Sequence, residues 1–184
     1  MAQEEKTGKR SKAIGISVFN EHVALPFSEP DNSPAHLGAT VSYEWSRSRS
    51  GMYQFTHIFQ GGYYFHEDFN QAFFITWKPK FELRFAGIID IHAIPGVGYA
   101  HSFPTQATYR LKNGKYQQRA HWGKPHFMPS LGFGGGLHLE NWLDVPITTF
   151  VRYETFSLAP YAPKAAIPLT LHTMLSFGVV YSFN

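Results

Sequence analysis

Residues 75–85 read ITWKPKFELRF and decide the fold. The odd positions are apolar or Pro, and the even positions after Thr76 are charged. A side-chain period of two is typical of a β-strand with two unlike faces. In a soluble sandwich or lipid-carrying barrel the apolar face would point inward. In a membrane barrel it would contact lipid, and the charges would fill the lumen.

Composition narrows the class of protein. The 184 residues suffice for one domain, and 17% aromatic residues with 16 Gly and 12 Pro favour many strands and turns over a helical bundle. A net charge of +3 gives no indication of a nucleic-acid partner. The absence of Cys excludes disulfides, thiolate zinc sites and cysteine nucleophiles. No stretch of about eighteen apolar residues predicts a transmembrane helix, but barrel strands need only about ten alternating residues.

The chain divides into a short tail and one barrel domain. Residues 1–12 are polar and carry six charges, so they predict a flexible periplasmic tail, and their start is typical of a mature N-terminus with an added Met. Residues 13–184 predict the barrel. Eight runs have strand character: 13–25, 37–47, 52–65, 71–84, 88–103, 126–139, 147–157 and 170–183. Two are irregular: the first changes phase between Val18 and Phe19, which predicts a bulge, and the seventh places Phe150 and Phe156 beside charged residues.

The connections and the charged face favour the membrane orientation. Connections after the second, fourth and sixth runs are short and the others mostly long, as in outer-membrane barrels, whose even strand number puts both termini in the periplasm. We therefore predict an all-β, eight-stranded, antiparallel up-and-down transmembrane barrel with a filled polar lumen. The inward charges balance one another, as a narrow lumen requires. The predicted lumen charge network comprises Glu44, Lys78, Lys80, Glu82, Arg84, Asp90, Arg152 and Glu154.

The last strand carries a resemblance to a known family. The ending LSFGVVYSFN alternates and places aromatic residues at Tyr181 and Phe183, followed by Asn184. It resembles the C-terminal strand of Gram-negative outer-membrane barrels that their assembly machinery recognises. With the eight-strand layout, the chain from Ala13 onward is similar to small barrels of the outer-membrane protein X type. The resemblance implies an outer-membrane location, but such barrels serve as adhesins, enzymes, anchors and subunits of complexes.

Two kinds of chemistry can be tested on the sequence. Related lipid A deacylases keep a His-x-Ser pair on a late strand, and the stretch TTFVRYETFSLAP has no His. The adjacent pair His101 and Ser102 would lie on opposite strand faces, so we predict no catalytic residues and no enzyme. His92, His138 and His172 share the inward parity. They are interpreted as hydrogen-bonded lumen residues, and neither a metal nor a cofactor is predicted.

The 22 residues 104–125 form the longest connection and contain five cations and no acid. Asn113 and Gly114 predict a type I′ turn, so the connection is expected to extend above the barrel as a hairpin. A basic rim of this kind would attract lipopolysaccharide, surface polysaccharide or an acidic protein, although a solvated turn explains the charges equally well. The predicted external binding residues are Arg110, Lys112, Lys115, Arg119, Trp122 and Lys124.

These observations predict a non-enzymatic barrel of the outer membrane. It would act as a structural or accessory subunit of an outer-membrane complex, or as a surface binding protein that uses its external loops. The expected partners are lipid, lipopolysaccharide and a membrane protein, with no nucleic acid. The alternatives are a lipid A-modifying enzyme, which the missing His-x-Ser pair disfavours, and a small-solute channel, which the paired lumen charges disfavour.

Overall fold

A computed structural model describes eight continuous parts of the chain: residues 11–25, 35–50, 52–67, 70–106, 109–112, 114–118, 122–160 and 169–183. Most of the predicted tail, together with Asn113 and Arg119, lies outside the described residues. These described parts contain eleven strands and one short helix: β1 Lys12–His22, β2 His36–Ser50, β3 Tyr53–Phe65, β4 Asn70–Phe85, β5 Ile89–Pro104, β6 Tyr109–Lys112, β7 Lys115–Gln118, β8 Lys124–Phe127, β9 Ser130–His138, α1 Glu140–Leu143, β10 Ile147–Leu158 and β11 Thr170–Phe183. In this part of the chain, no helix has the length and hydropathy to cross a membrane.

The long strands close into one antiparallel barrel. Each pairs with its neighbour in sequence, and β1 pairs with β11 from Lys12 opposite Phe183 to His22 opposite Thr173. Each strand position around the barrel wall is called a stave. Strands β8 and β9 together form one stave, because both pair with β5 and only Met128 and Pro129 separate them. The barrel therefore has eight staves, as the alternation predicts. The β6 and β7 hairpin forms a separate two-stranded sheet.

The two faces of the wall differ as the period of two requires. Apolar side chains point outward and are about half exposed or more, including Ile16, Val18 and Ile75. Their even-numbered neighbours in β4, such as Thr76, Lys78 and Glu82, are buried in the lumen. An apolar exterior around a polar interior is the inverse of a soluble barrel and suits a lipid environment. The charged face of ITWKPKFELRF therefore lines the lumen.

Strand β1 corrects one sequence expectation. Its side chains alternate between lumen and exterior from Ala13 to Glu21, and its pairing shows no register shift, so the predicted bulge at Val18 and Phe19 is wrong. Phe19 instead points into the lumen, where Gly38 of β2 leaves room for its ring. The described register shift lies in β2, between Ser46 and Ser48, and β2 extends to Ser50, beyond the run that was predicted to end at residue 47.

The ladder between β4 and β5 is interrupted at mid-height. Pairing runs from Asn70 to Trp77 and resumes at Phe81, and the register places Pro79 opposite Pro95 in the gap. A proline has no backbone N–H, so neither strand can donate to the other at this point. The adjoining ladders between β3 and β4 and between β5 and β9 continue past the gap.

Two adjacent glycines of β3 test the assignment of the faces. A Cβ on Gly62 would overlap the ring of Phe74 in the lumen, whereas a Cβ on Gly61 would lie 3.9 Å from the Phe74 carbonyl oxygen, at ordinary contact distance. We expect Gly62→Ala to lower the free energy of unfolding by about 1–3 kcal/mol, the usual cost of overpacking. Gly61→Ala should change it by less than about 0.5 kcal/mol. Urea titrations followed by tryptophan fluorescence measure both, and equal effects would contradict the faces described.

Candidate functional site

The half of the lumen nearest the two termini holds an ion-pair network. Lys80 Nζ lies 3.2 Å from Glu44 Oε2 and 3.1 Å from Glu82 Oε2, and Arg84 donates to Glu82 Oε1 at 2.6 Å. Each carboxylate therefore has a cation within ion-pairing distance. A cavity of about 150 Å³ lies among these groups. Because the side chains neutralise one another inside the wall, this network fills the lumen instead of leaving it open.

Asp90 lines the same cavity and is hydrogen-bonded to two histidines. His92 Nδ1 lies 2.6 Å from Asp90 Oδ1, and His138 Nε2 donates to Asp90 Oδ2 at 2.7 Å. Because a carboxylate only accepts, the proton of this hydrogen bond lies on Nε2 of His138, and the Thr148 hydroxyl lies 2.9 Å from Nδ1. His92 and His138 are thus the hydrogen-bonded lumen residues that their parity indicates.

A buried ion pair closes the lumen deeper inside. Lys78 Nζ lies 2.5 Å from Glu154 Oε1, and both side chains are completely buried. Neither residue lines the cavity nearer the termini. Arg152 is also buried and places its guanidinium 4.5 Å from the centre of the Phe150 ring. The structure therefore places all eight predicted charges in the lumen, in contact with one another or close to the same cavity.

Beyond this ion pair the lumen is apolar, which the sequence did not predict. Nine buried side chains form this apolar cluster, eight from six strands and Met128 from between β8 and β9: Phe19, Tyr64, Ala72, Phe74, Ala100, Met128, Phe156, Leu158 and Met174. These residues share the inward parity of the charged positions. Only the apolar character of several inward positions could therefore have revealed the cluster from the sequence. The ion pair and the apolar cluster together occupy the middle of the described lumen.

A histidine cluster lies at the end of the lumen opposite the termini. Glu21 accepts from Nδ1 of His172 at 2.6 Å and from Nδ1 of His66 at 3.1 Å. The ring of His36 stacks on that of His66, with centroids 3.4 Å apart. These four residues come from strand ends that neighbour one another in the barrel. Only His172 of this group could be singled out from the sequence, because residues at four separate strand ends have no common spacing.

The adjacent pair His101 and Ser102 divides between the two faces. His101 donates through Nε2 to the Trp122 carbonyl at 2.9 Å and accepts from the Tyr99 hydroxyl at 2.8 Å, outside the lumen. Ser102 points inward and donates to Nε2 of His126 at 2.7 Å. This hydrogen bond joins β5 to β8. Ser102 and His126 are both almost completely buried, so the Ser102 hydroxyl is not exposed as a nucleophile.

The hairpin of the long connection has the predicted form. Lys112 of β6 pairs with Lys115 of β7, and Gly114 between them has a φ of 73°, the left-handed conformation that tight hairpins require. Lys115, Trp122 and Lys124 are exposed, and Trp122 is 90% exposed. For Arg110 and Lys112 the structure describes the backbone alone, and Arg119 lies outside the described residues.

Comparison with solved structures places this geometry among known folds. Neisserial surface protein A is 8% identical over 95% of this chain and 97% of its own, with a TM-score of 0.55. This chain has the fold of the small outer-membrane β-barrels. The outer-membrane enzyme PagL is 14% identical over 90% of this barrel and 97% of its own chain, with a TM-score of 0.48. The attachment invasion locus protein Ail of Yersinia pestis is 13% identical over 96% and 99%, with a TM-score of 0.47. No protein-family model and no curated protein matches the sequence.

A fold shared at 8% identity leaves the activity open, because one fold can carry many functions. The function has to be argued from the lumen and the surface of this particular barrel.

Proposed function

We propose that the protein is a non-enzymatic barrel of the outer membrane that presents its loop end to a partner. The observation that carries this proposal is the closed lumen, in which the buried pair of Lys78 and Glu154 is followed by the apolar cluster. A barrel whose described lumen is filled, and whose Ser102 is buried, would act through its rim and its outer wall. In this proposal both termini face the periplasm and the long connections face outward.

The β6 and β7 hairpin is the proposed binding element. It stands apart from the hydrogen-bonded wall, and its exposed side chains combine aromatic rings with positive charge. The connection that contains it has five cations and no acid. Arg110, Lys112, Lys115, Arg119, Trp122 and Lys124 would contact an anionic partner, with Trp122 stacking on it and the cations attracting it. We propose that the partner is lipopolysaccharide or the acidic surface of a membrane protein. A protein partner would make the barrel an accessory subunit.

Charge reversal at the rim tests this proposal. We expect Lys115→Glu with Lys124→Glu to lower recovery of the partner from mild-detergent extracts of native outer membranes by at least tenfold, because both lysines are exposed on the loop side. Co-purifying proteins are identified by mass spectrometry, and bound lipopolysaccharide is quantified in the same samples. Protein partners at stoichiometric ratio indicate an accessory subunit, and lipopolysaccharide alone indicates a free-standing surface barrel.

The matched control is Lys12→Glu, which reverses an exposed charge at the opposite end of the barrel. It should leave recovery unchanged. Equal recovery with the rim variant and the wild type, or an equal loss with Lys12→Glu, would contradict the assignment of binding to the hairpin. Raising the salt concentration should weaken the interaction of the wild type, because exposed charges are screened.

A further inference from the structure

The histidine cluster at the loop end of the lumen has the composition of a metal site. Glu21, His36 and His66 each offer one ligand atom, and these three atoms lie within 4.8 Å of one another. Imidazole nitrogens with one carboxylate oxygen are the ligands that Zn²⁺ binds in three-residue protein sites. Neighbouring ligand atoms around a tetrahedral Zn²⁺ are about 3.3 Å apart, given bond lengths near 2.0 Å. The three atoms therefore have to move closer together by side-chain rotation before they can coordinate one ion.

The hydrogen bonds of His36 leave it suited to be a ligand. Its Nδ1 donates to the backbone carbonyl of Glu21 at 3.2 Å, so the neutral ring carries its free lone pair on Nε2. The ring is 5% exposed, and Nε2 has no hydrogen-bond partner among the described residues. A buried acceptor without a donor is costly. A histidine whose other nitrogen donates to a carbonyl is the usual arrangement of a metal ligand.

The charge of Glu21 supports a cation at the same place. Its side chain is fully buried, and its ion-pair partners in the described part of the chain are the imidazoles of His66 and His172. A buried carboxylate needs a positive charge nearby, and an imidazole supplies one only when protonated. A bound divalent ion would supply that charge without protonation of either ring.

A second group with metal-like composition, Glu82, Asp90 and His138, lies at the other end of the lumen. Lys80 and Arg84 already lie within ion-pairing distance of Glu82 there. The repulsion of these cations disfavours a metal ion at that position. The group at the loop end is therefore the better candidate for a metal site, because the second group has the cations Lys80 and Arg84 beside it.

Hydrogen bonds hold the backbone of His36 and the carboxylate of Glu21 in place. Asn20 accepts the backbone N–H of His36 at 2.8 Å, which ties the start of β2 to the end of β1. His172 donates to the second oxygen of Glu21 and orients the carboxylate. The stacked rings of His36 and His66 are nearly parallel, at 14°, so one of them has to turn about its Cβ–Cγ bond to direct both lone pairs at one ion.

We propose that Glu21, His36 and His66 bind one divalent transition-metal ion of the Zn²⁺ class at the loop end of the lumen, with His172 as the residue that positions Glu21. Three protein ligands leave a fourth position of a tetrahedral ion for water or an external ligand. The proposal does not depend on the binding role of the hairpin.

Equilibrium dialysis of the untagged, folded barrel against Zn²⁺, after treatment with a chelator, tests the site. We expect one Zn²⁺ per chain by elemental analysis, and loss of at least tenfold in affinity for His36→Ala and for His66→Ala. Co²⁺ offers a second readout, since tetrahedral coordination gives intense visible absorption bands that both variants should lose.

His92→Gln is the matched control, because it changes a buried lumen histidine outside the cluster and should retain one Zn²⁺ per chain. The mobility of heated and unheated samples on SDS gels verifies that each variant is folded. Folded wild-type barrel without stoichiometric Zn²⁺ would overturn the proposal even if a variant failed to fold. Retention of the ion in both alanine variants, or its equal loss in His92→Gln, would overturn it as well.

Discussion

Replacement of Glu154 by Leu is expected to lower the free energy of unfolding by about 3–5 kcal/mol, the cost of leaving a buried charge without its partner. The variant leaves the Lys78 ammonium in the lumen without the oxygen that lies 2.5 Å from it. Arg152 is attracted by the same carboxylate, so its environment also becomes less favourable. Reversible urea unfolding in lipid vesicles, followed by tryptophan fluorescence, measures the change.

The double variant Lys78→Met with Glu154→Leu separates a buried charge from a simple change of packing. Because both partners are replaced by apolar groups, we expect it to recover at least about 2 kcal/mol of the loss. Lys115→Met changes an exposed lysine of the hairpin and should stay within about 0.5 kcal/mol of the wild type. A loss in the double variant as large as in Glu154→Leu would show that the ion pair is not the cause.

Val18→Arg should destabilise the barrel in lipid by about 2–4 kcal/mol, the cost of a lipid-facing Arg near the bilayer midplane. Val18 lies near the middle of β1, points outward and is 61% exposed. On a water-exposed surface the same substitution would change stability by about 0.5 kcal/mol or less. Unfolding in vesicles therefore distinguishes a lipid-facing wall from a soluble one.

Leu37→Arg is the control for depth along the same pair of strands. Leu37 is 68% exposed and opposes Asn20, close to the loop end of β1. Lipid-facing Arg near an interface costs only about 0–1 kcal/mol. If Val18→Arg and Leu37→Arg had equally small effects, the apolar exterior would not be embedded in lipid.

The alternation of apolar and polar residues was sufficient to predict the barrel. The run predicted at 71–84 is the strand Asn70–Phe85, and the last run coincides with Thr170–Phe183. Such agreement is expected where one face contacts lipid, because a shift of one residue would reverse every side chain. The parity of these strands also placed the charged residues correctly in the lumen.

Parity was less informative where the lumen itself is apolar. Phe19 was interpreted as a change of phase because an inward aromatic residue breaks the expected pattern. The space for its ring comes from Gly38 on the neighbouring strand, a relation that depends on strand register. The cluster of Glu21, His36 and His66 likewise depends on which strand ends meet at one rim. Register and closure, rather than local sequence, create both features.

The opposed prolines of β4 and β5 divide the ladder between these two strands into two hydrogen-bonded blocks. The loop-side part is held together from Asn70 to Trp77, and the part nearer the termini from Phe81 to Phe85. No hydrogen bond joins β4 to β5 at Pro79 and Pro95, and the ladders to β3 and β9 carry the wall across the gap. The loop-side block contributes Phe74 to the apolar cluster, and the block nearer the termini contributes Glu82 and Arg84 to the ion-pair network, so the gap lies where the lumen changes from apolar to charged filling.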